Sequence, residues 1–241
     1  MFYGYGVLNN HVPTLKATTM GGGVSTLMNG IYYAFNADNS YVSPINSNGG
    51  SGIGGMTFGT GLINQCFVSN GTNSYINYTT ASLNFTNSFS TSFWVKTSSL
   101  QIGSNGLVSS YNFSSGNYGY IIGLSALNKI DLYWNNTSDN SYASTNSINL
   151  NQWNHVVVVW DKTNTNWKVY INNTLDINIT IAAANNIRYS TQEKSNICGT
   201  YNDSANSLNG SMDAISFWNR AITLSEVNSL YNSGNGKQYP Y

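Results

Sequence analysis

GSMDAISFWNRAITLSEVNSLY, residues Gly210 to Tyr231, contains the most legible local structure in the chain. Thr223 and Glu226 stand at the T-x-x-E spacing of a capping box, in which the hydroxyl caps an early backbone N–H and the carboxylate reaches back to the cap. Ile222 and Val227 occupy the staple positions around that cap, and Val227, Leu230 and Tyr231 share one helical face. Gly234 suits the C-terminal stop. A helix of roughly two turns does not hold itself, so this one must pack on something larger.

That larger body reads as short strands separated by Asn/Gly/Ser turns, the pattern of a sandwich or barrel. Ile31 to Phe35 is the first strand. Gly49 to Gly55 reads as a glycine-rich loop, and Cys66 to Val68 and Tyr75 to Tyr78 flank a turn over Ser69 to Thr72. Phe89, Thr91, Phe93 and Val95 alternate with Ser90, Ser92, Trp94 and Lys96, which predicts one inward face. Tyr118 to Leu124 and Ile130 to Trp134 form a hairpin. His155 to Trp160 is apolar at successive positions, as in a strand buried on both faces, and Asp161 to Asn166 turns it back into Trp167 to Ile171. Ile177, Ile179 and Ile181 alternate again.

Only 7% of the 241 residues are charged and the formal net charge is zero, while 39 are asparagine. Such a surface works by hydrogen bonds. It lacks the clustered Lys and Arg that nucleic acid or anionic lipid requires, so neither is an expected partner. Aromatic residues make up 14% of the chain, far more than a disordered segment carries. No run reaches the roughly 18 apolar residues of a membrane helix. No basic and then apolar signal segment is visible at the N-terminus, so the abundant sequons imply no glycosylation. Cys66 and Cys198 form no disulfide framework; they read as small buried thiols or as one cross-strand pair.

Residues 1–23 differ from the rest, being apolar and aromatic without a period and ending in Gly21-Gly22-Gly23. They read as an arm that docks on a neighbouring subunit or larger assembly, ahead of a domain over residues 24–241.

Gly210, Met212, Asp213, Asn219, Arg220, Ala221, Ser225, Glu226, Leu230 and Tyr231 fall on a known ending: a Gly-x-hydrophobic-Asp strand, an aromatic-Asn-Arg-Ala turn, and a Ser-Glu helix closing in Leu-Tyr. In this the chain resembles the laminin G-like, concanavalin A-like jelly rolls of the lectin and glucanase superfamily. Leu27 to Phe35, Phe89 to Lys96 and Trp153 to Asn173 match further segments in the right order, so the resemblance covers residues 27–235. It implies an all-β fold, a two-sheet antiparallel jelly-roll sandwich with one short C-terminal helix.

Members of this fold often hold a structural calcium with the first-strand loop and the Asp of the final strand. The matching positions are Asn36, Asp38 and Asp213, although the family often has Asp directly after the opening Phe, where this chain has Asn36. Calcium wants six to eight oxygens, so backbone groups would complete the shell; the competing reading makes Asp38 a turn cap and Asp213 a hydrogen-bond acceptor. The superfamily's glucanases use a strand-borne Glu-x-Asp motif, and glycoside hydrolysis needs a carboxyl pair. This chain has two glutamates only, Glu193 and Glu226, the second committed to the helix cap, and no carboxylates at i, i+2 on a predicted strand. A non-enzyme is expected. His155 matches a structural histidine of the family, and His11 has no ligand neighbours at metal spacing. Asn48 to Gly55 lacks the Gly-Lys-Ser/Thr of a phosphate loop.

Aromatic platforms beside planar amides suit sugars. Tyr111, Tyr118, Tyr133, Trp134, Tyr142 and Tyr201 lie in or beside Asn/Ser-rich loops, as ligand contacts or as core and edge cover. Two functions remain. One is a non-catalytic, lectin-like module displayed on a virion, such as a phage head fibre, decoration or tail-associated protein, recognising a glycan or host-surface receptor and attached to other virion subunits through its arm. The other is a purely structural decoration protein. The location is then the virion surface, or alternatively extracellular, and a homo-oligomer stays open.

Overall fold

The structure is a computed structural model that describes residues 25–45, 47, 49–78, 83–101, 105–112, 118–135, 139–181, 187–190, 194–200 and 206–241. The arm over residues 1–23, His11, Glu193 and Tyr201 lie outside the described residues.

Strands account for most of the chain: β1 (Ile31–Phe35), β2 (Ser51–Ile53), β3 (Thr57–Thr60), β4 (Gln65–Asn70), β5 (Tyr75–Tyr78), β6 (Phe89–Thr97), β7 (Asn105–Asn112), β8 (Tyr118–Leu124), β9 (Lys129–Asn135), β10 (Asp139–Ser147), β11 (Asn154–Asp161), β12 (Asn166–Ile171), β13 (Thr174–Thr180), β14 (Lys194–Ile197) and β15 (Asn209–Trp218). The single α-helix among the described residues, α1, spans Leu224–Tyr231. An eight-stranded sheet runs β13-β12-β11-β6-β15-β4-β3, with β1 also on β15, and a seven-stranded sheet runs β10-β9-β8-β7-β14-β5-β2. The ladders within both sheets are antiparallel. This is the two-sheet sandwich the sequence implies, with the short helix at its C-terminal end.

The main core lies between the sheets. Phe93 and Val95 of β6, Val156 and Val158 of β11 and Met212 of β15 face Val108, Tyr120, Ile122, Ile130 and Leu132 of the other sheet, all of them buried. Each set comes from alternate positions of its strand, as the pleat requires.

β6 departs from the expected half-buried pattern, since Lys96 is its only exposed residue. Its second face is roofed. Ser90 donates to the Arg220 carbonyl at 2.8 Å and accepts from the Ile222 N–H, Ser92 bonds His155, and Trp94 stacks on Tyr231. The serines are therefore buried polar groups with partners rather than a solvated face. β11 is buried on both faces for the same reason. Val157 and Val159 join Leu27, Trp218, Ile222, Val227 and Leu230 in a second apolar cluster beneath α1.

Two other segments differ from the sequence reading. β4 and β5 belong to different sheets, so the turn between them crosses the sandwich. Asn70 secures that crossing by accepting N–H groups from Thr72, Asn73 and Ser74. The glycine-rich loop contains β2, which pairs with β5. Gly54, with φ +63°, ends it where any Cβ would strike the Asn73 carbonyl. Cys66 and Cys198 are both free and buried.

The capping box forms in full, Thr223 with Glu226. Asn232, in the left-handed region at φ 49°, makes the stop that the sequence assigned to Gly234. Glu226 also receives both ends of the Arg220 guanidinium, at 2.6 and 2.9 Å, while Arg220 donates to the carbonyls of Asn29 and Thr26. One ion pair thus joins the first described segment to the last helix. Burial pushes the Glu226 carboxyl up, but the Arg220 bonds, the Thr223 N–H and the Arg220 charge outweigh it and bring it down to about 2 from 4.5.

Thr223→Ala is expected to lower stability by about 1 kcal/mol. Glu226→Ala should lower it by about 2–4 kcal/mol, because it removes the cap and leaves Arg220 without its carboxylate. Because the folded value is depressed, the charge of Glu226 stabilises fully above pH 4.5 and is lost as pH falls through about 2. Urea unfolding across that range should show the gap between wild type and Glu226→Ala narrowing with acid.

Candidate functional site

The roof covers the central strands of the eight-stranded sheet, and on the outer face of the seven-stranded sheet a recess lies over β8, β9 and β10. On β9, Ile130, Leu132 and Trp134 are buried, while Asp131 and Tyr133 alternate with them and are partly exposed. Pairing sets Tyr133 opposite Ile121 of β8 and Ser141 of β10, and sets Asp131 opposite Gly123 and Ala143. All six line a cavity of about 570 Å³, together with Leu132, Asp139, Tyr142, Thr200 and Asn206. A Cβ at Gly123 would come within 2.8 Å of the Asn105 carbonyl.

The polar groups of this cavity are held in place by neighbours. The Tyr111 hydroxyl donates to that of Tyr133 at 3.1 Å, and Tyr133 bonds in turn with the Asp139 carboxylate. Asn135 Nδ2 donates to Asp139 from the other side at 2.6 Å. Burial raises the Tyr133 phenol above its ordinary range, and the Asp139 carboxylate adds to the rise, so Tyr133 is a neutral hydroxyl. Thr200 is 3% exposed, and its hydroxyl is buried without a hydrogen-bond partner. Tyr142, 49% exposed, lies parallel to the ring of Trp134 at 6.3 Å.

The aromatic candidates therefore divide. Tyr142 borders the cavity through its place on β10, but it sits opposite Leu132 and stacks on Trp134, on the other face of the sheet from Tyr133; Tyr111 is buried beside the cavity and reaches it through Tyr133. Tyr118, at the start of β8, carries the Arg188 guanidinium 4.9 Å above its ring. Trp134 is not a surface residue: it is 1% exposed, points into the core and packs on Trp167 at 5.6 Å. The reason is the pleat, which sends Trp134 inward because Tyr133 points out. Tyr201 lies outside the described residues.

Away from the cavity, His155 is a core residue. Its Nε2 is 2.9 Å from the Ser92 hydroxyl, its ring lies 5.0 Å from that of Trp94 and 5.9 Å from that of Tyr231, and burial lowers it to about 3. The three metal candidates sit at the junction of β1, β15 and the C-terminal tail. Asp213 accepts N–H groups from Ile63 at 2.9 Å and Ala214 at 2.6 Å. Burial raises its carboxyl to about 6, against the pull of those amides, and the Asp38 charge adds to the rise. Asp38 accepts from the Gln238 amide at 3.4 Å. Asn36 donates to the Tyr239 carbonyl at 2.7 Å.

A model of the concanavalin A-like lectin/glucanases superfamily matches residues 70–228. The chain belongs to this superfamily. No curated protein sequence matches it. Among solved structures it is similar to domain 4 of AbnA, a GH43 extracellular arabinanase from Geobacillus stearothermophilus, in complex with arabinotriose. The identity is 19%, the TM-score 0.68, and the match covers 83% of this chain and 97% of that one. It is also similar to the binding domain of Paraclostridial Mosquitocidal Protein 1, with 18% identity, TM-score 0.70, and coverage of 86% and 53%. A structure of botulinum neurotoxin type C, whose cell entry depends on two ganglioside molecules, matches at 20% identity and TM-score 0.63, with coverage of 85% and 51%. The chain spans about half the length of these two toxin chains. At such identities the likeness is one of fold.

For this superfamily member, Asp131, Asp139, Thr200 and Asn206 are cavity residues that the aromatic search passed over. The alternation of Lys129 to Asn135 contained the signal for Asp131, because it pairs Asp131 with Tyr133 and separates both from Trp134. Thr200 and Asn206 follow no local pattern.

The structural calcium expected from the sequence would rest on Asn36, Asp38 and Asp213. Asp38 and Asp213 are near enough to repel, and Gln238 Oε1, on the amide beside Asp38, is buried without a hydrogen-bond partner. Asp213 is already held by the Ile63 and Ala214 N–H groups and Asp38 faces the Gln238 amide nitrogen, so a cation here would need backbone carbonyls for most of its shell. Among the described residues no cluster of three or more His, Cys, Asp or Glu forms. Thermal melting in calcium and in excess chelator checks the site. The midpoint is expected to rise in calcium and fall in chelator, with no response in Asp213→Ala; an identical midpoint in both would remove the site.

Proposed function

We propose that this domain is a non-catalytic carbohydrate-binding module whose site is the cavity over β8, β9 and β10. The observation that carries this reading is the cavity's composition: the partly exposed Tyr133 ring beside the carboxylates of Asp131 and Asp139 and the hydroxyl of Ser141. Sugar binding asks for that combination, an apolar ring face and planar or hydroxylic hydrogen-bonding groups. The arabinotriose complex and the ganglioside dependence named for two similar folds support the reading by analogy.

The non-catalytic part rests on spacing. In the β9–β10 ladder Asp131 lies opposite Ala143 and Asp139 opposite Asn135. That offset of four residues is about 13 Å along the strands. A glycosidase needs its carboxyl pair about 5 to 9 Å apart. The setting belongs to the same proposal: display on a virion, with residues 1–23 as the attachment, is supported by the nearly uncharged composition and the distinct arm of the sequence.

Screening the purified protein on an oligosaccharide array tests the function. Binding is expected, and Tyr133→Ala should weaken it by about tenfold or more, the loss of one stacking platform. Ser141→Ala, which removes an exposed hydroxyl of the lining, should weaken it with little change in melting temperature. Binding that survives both substitutions would place the sugar elsewhere, and no binding to any oligosaccharide would favour the purely structural role.

A further inference from the structure

Two of the residues that line the cavity carry a charge, Asp131 and Asp139, and both are negative. Among the described residues of the lining none is lysine, arginine or histidine. The nearby cations sit outside the wall: Lys129 stands two residues before Asp131 on β9, and Arg188 folds over the Tyr118 ring with its guanidinium bonded to that hydroxyl at 3.2 Å.

We propose that the site admits neutral glycans and excludes sugars that bear a carboxylate, sulfate or phosphate, and that Asp131 and Asp139 make this selection. The inference rests on the carbohydrate-binding reading above and adds to it the class of sugar.

Asp139 is set as an acceptor before any ligand arrives. Asn135 holds one oxygen, and the Tyr111–Tyr133 hydroxyl chain approaches the same carboxylate, so its orientation is fixed by three residues of the sheet. A carboxylate so held accepts hydroxyl groups in charge-assisted bonds, stronger than those a neutral amide makes. Neutral sugars supply such hydroxyls in quantity. An anionic sugar supplies some of them too, but brings its own charge into a recess partly walled from water, where like charges repel more strongly than in bulk solvent. Among the described residues of the lining no side chain carries a positive charge. Asp131, on the other side of Tyr133 along the same sheet face, extends the negative field across the cavity floor. Selection here works by repulsion of the wrong ligand as much as by attraction of the right one.

The test compares neutral oligosaccharides with their sialylated and sulfated counterparts on one array, at about 50 mM and about 300 mM salt. Neutral members are expected to bind at least about tenfold more tightly than the charged counterparts at low salt, with the gap narrowing at high salt as screening shortens the repulsion. The Asp131→Asn, Asp139→Asn double variant should narrow the gap at low salt while still binding neutral sugars. Charged counterparts that bind wild type as well as neutral ones would overturn the inference and leave the carbohydrate reading standing. So would a gap indifferent to both salt and the double substitution. The salt dependence is read on wild type, so the inference stays falsifiable even if the variant fails to fold. Absence of binding to either kind of sugar would remove the carbohydrate reading and this inference with it.

Discussion

The central strand β11 carries apolar side chains on both of its faces, and everything above follows from the need to cover both. Val156, Val158 and Trp160 are buried against the other sheet, and Val157 and Val159 against the helix and its approaches. A strand of that kind cannot lie at a surface, because one apolar row would remain in water. The C-terminal segment supplies the missing layer, with Ile222, Val227 and Leu230 packed on β11 and Tyr231 on Trp94 of β6. The Arg220–Glu226 pair fastens this layer to the start of the domain. The central strands of the eight-stranded sheet are thus used on both faces, and the cavity lies on the outer face of the seven-stranded sheet.

The scarcity of charge has a structural counterpart in the asparagines. Asn39, Asn64, Asn128, Asn151, Asn172, Asn173 and Asn232 all have positive φ, the left-handed conformation that asparagine tolerates better than most residues. Others replace backbone partners at turns: Asn70 caps three successive N–H groups, and Asn154 bonds both the N–H and the carbonyl of Asn149. Asparagine therefore does in this sandwich much of what glycine and aspartate do in others. It closes the turns without adding charge. The two carboxylates of the cavity stand out against that background, since few other charges are present to mask them.

How far the sequence was legible varies with how local the signal is. The capping box of Thr223 and Glu226, the doubly apolar run of β11 and the β8–β9 hairpin are short-range patterns, and the fold contains all three. β6 was half legible: its period of two was real, but Ser90 and Ser92 looked like a solvent face because serine does not reveal whether its partner is water or a carbonyl. The assignment of Trp134 to a binding surface failed against a signal already in the chain, the alternation with Tyr133. The crossing of β4 to β5 between sheets was not legible, because a turn sequence sets its own geometry and not the sheet to which the next strand is added.

By itself, then, the amino-acid order determined which side chains share a strand face, where the last helix begins, and that no strong surface field exists, since each depends on residues a few positions apart or on composition alone. Only the tertiary structure decided which face stays open, that Thr200 and Asn206 close a cavity begun by Ile121 and Asp131, and that Gln238 meets Asp38 from the far end of the chain. Those meetings depend on strand order and loop path. They come from the packing of two sheets around one core, which no local pattern encodes.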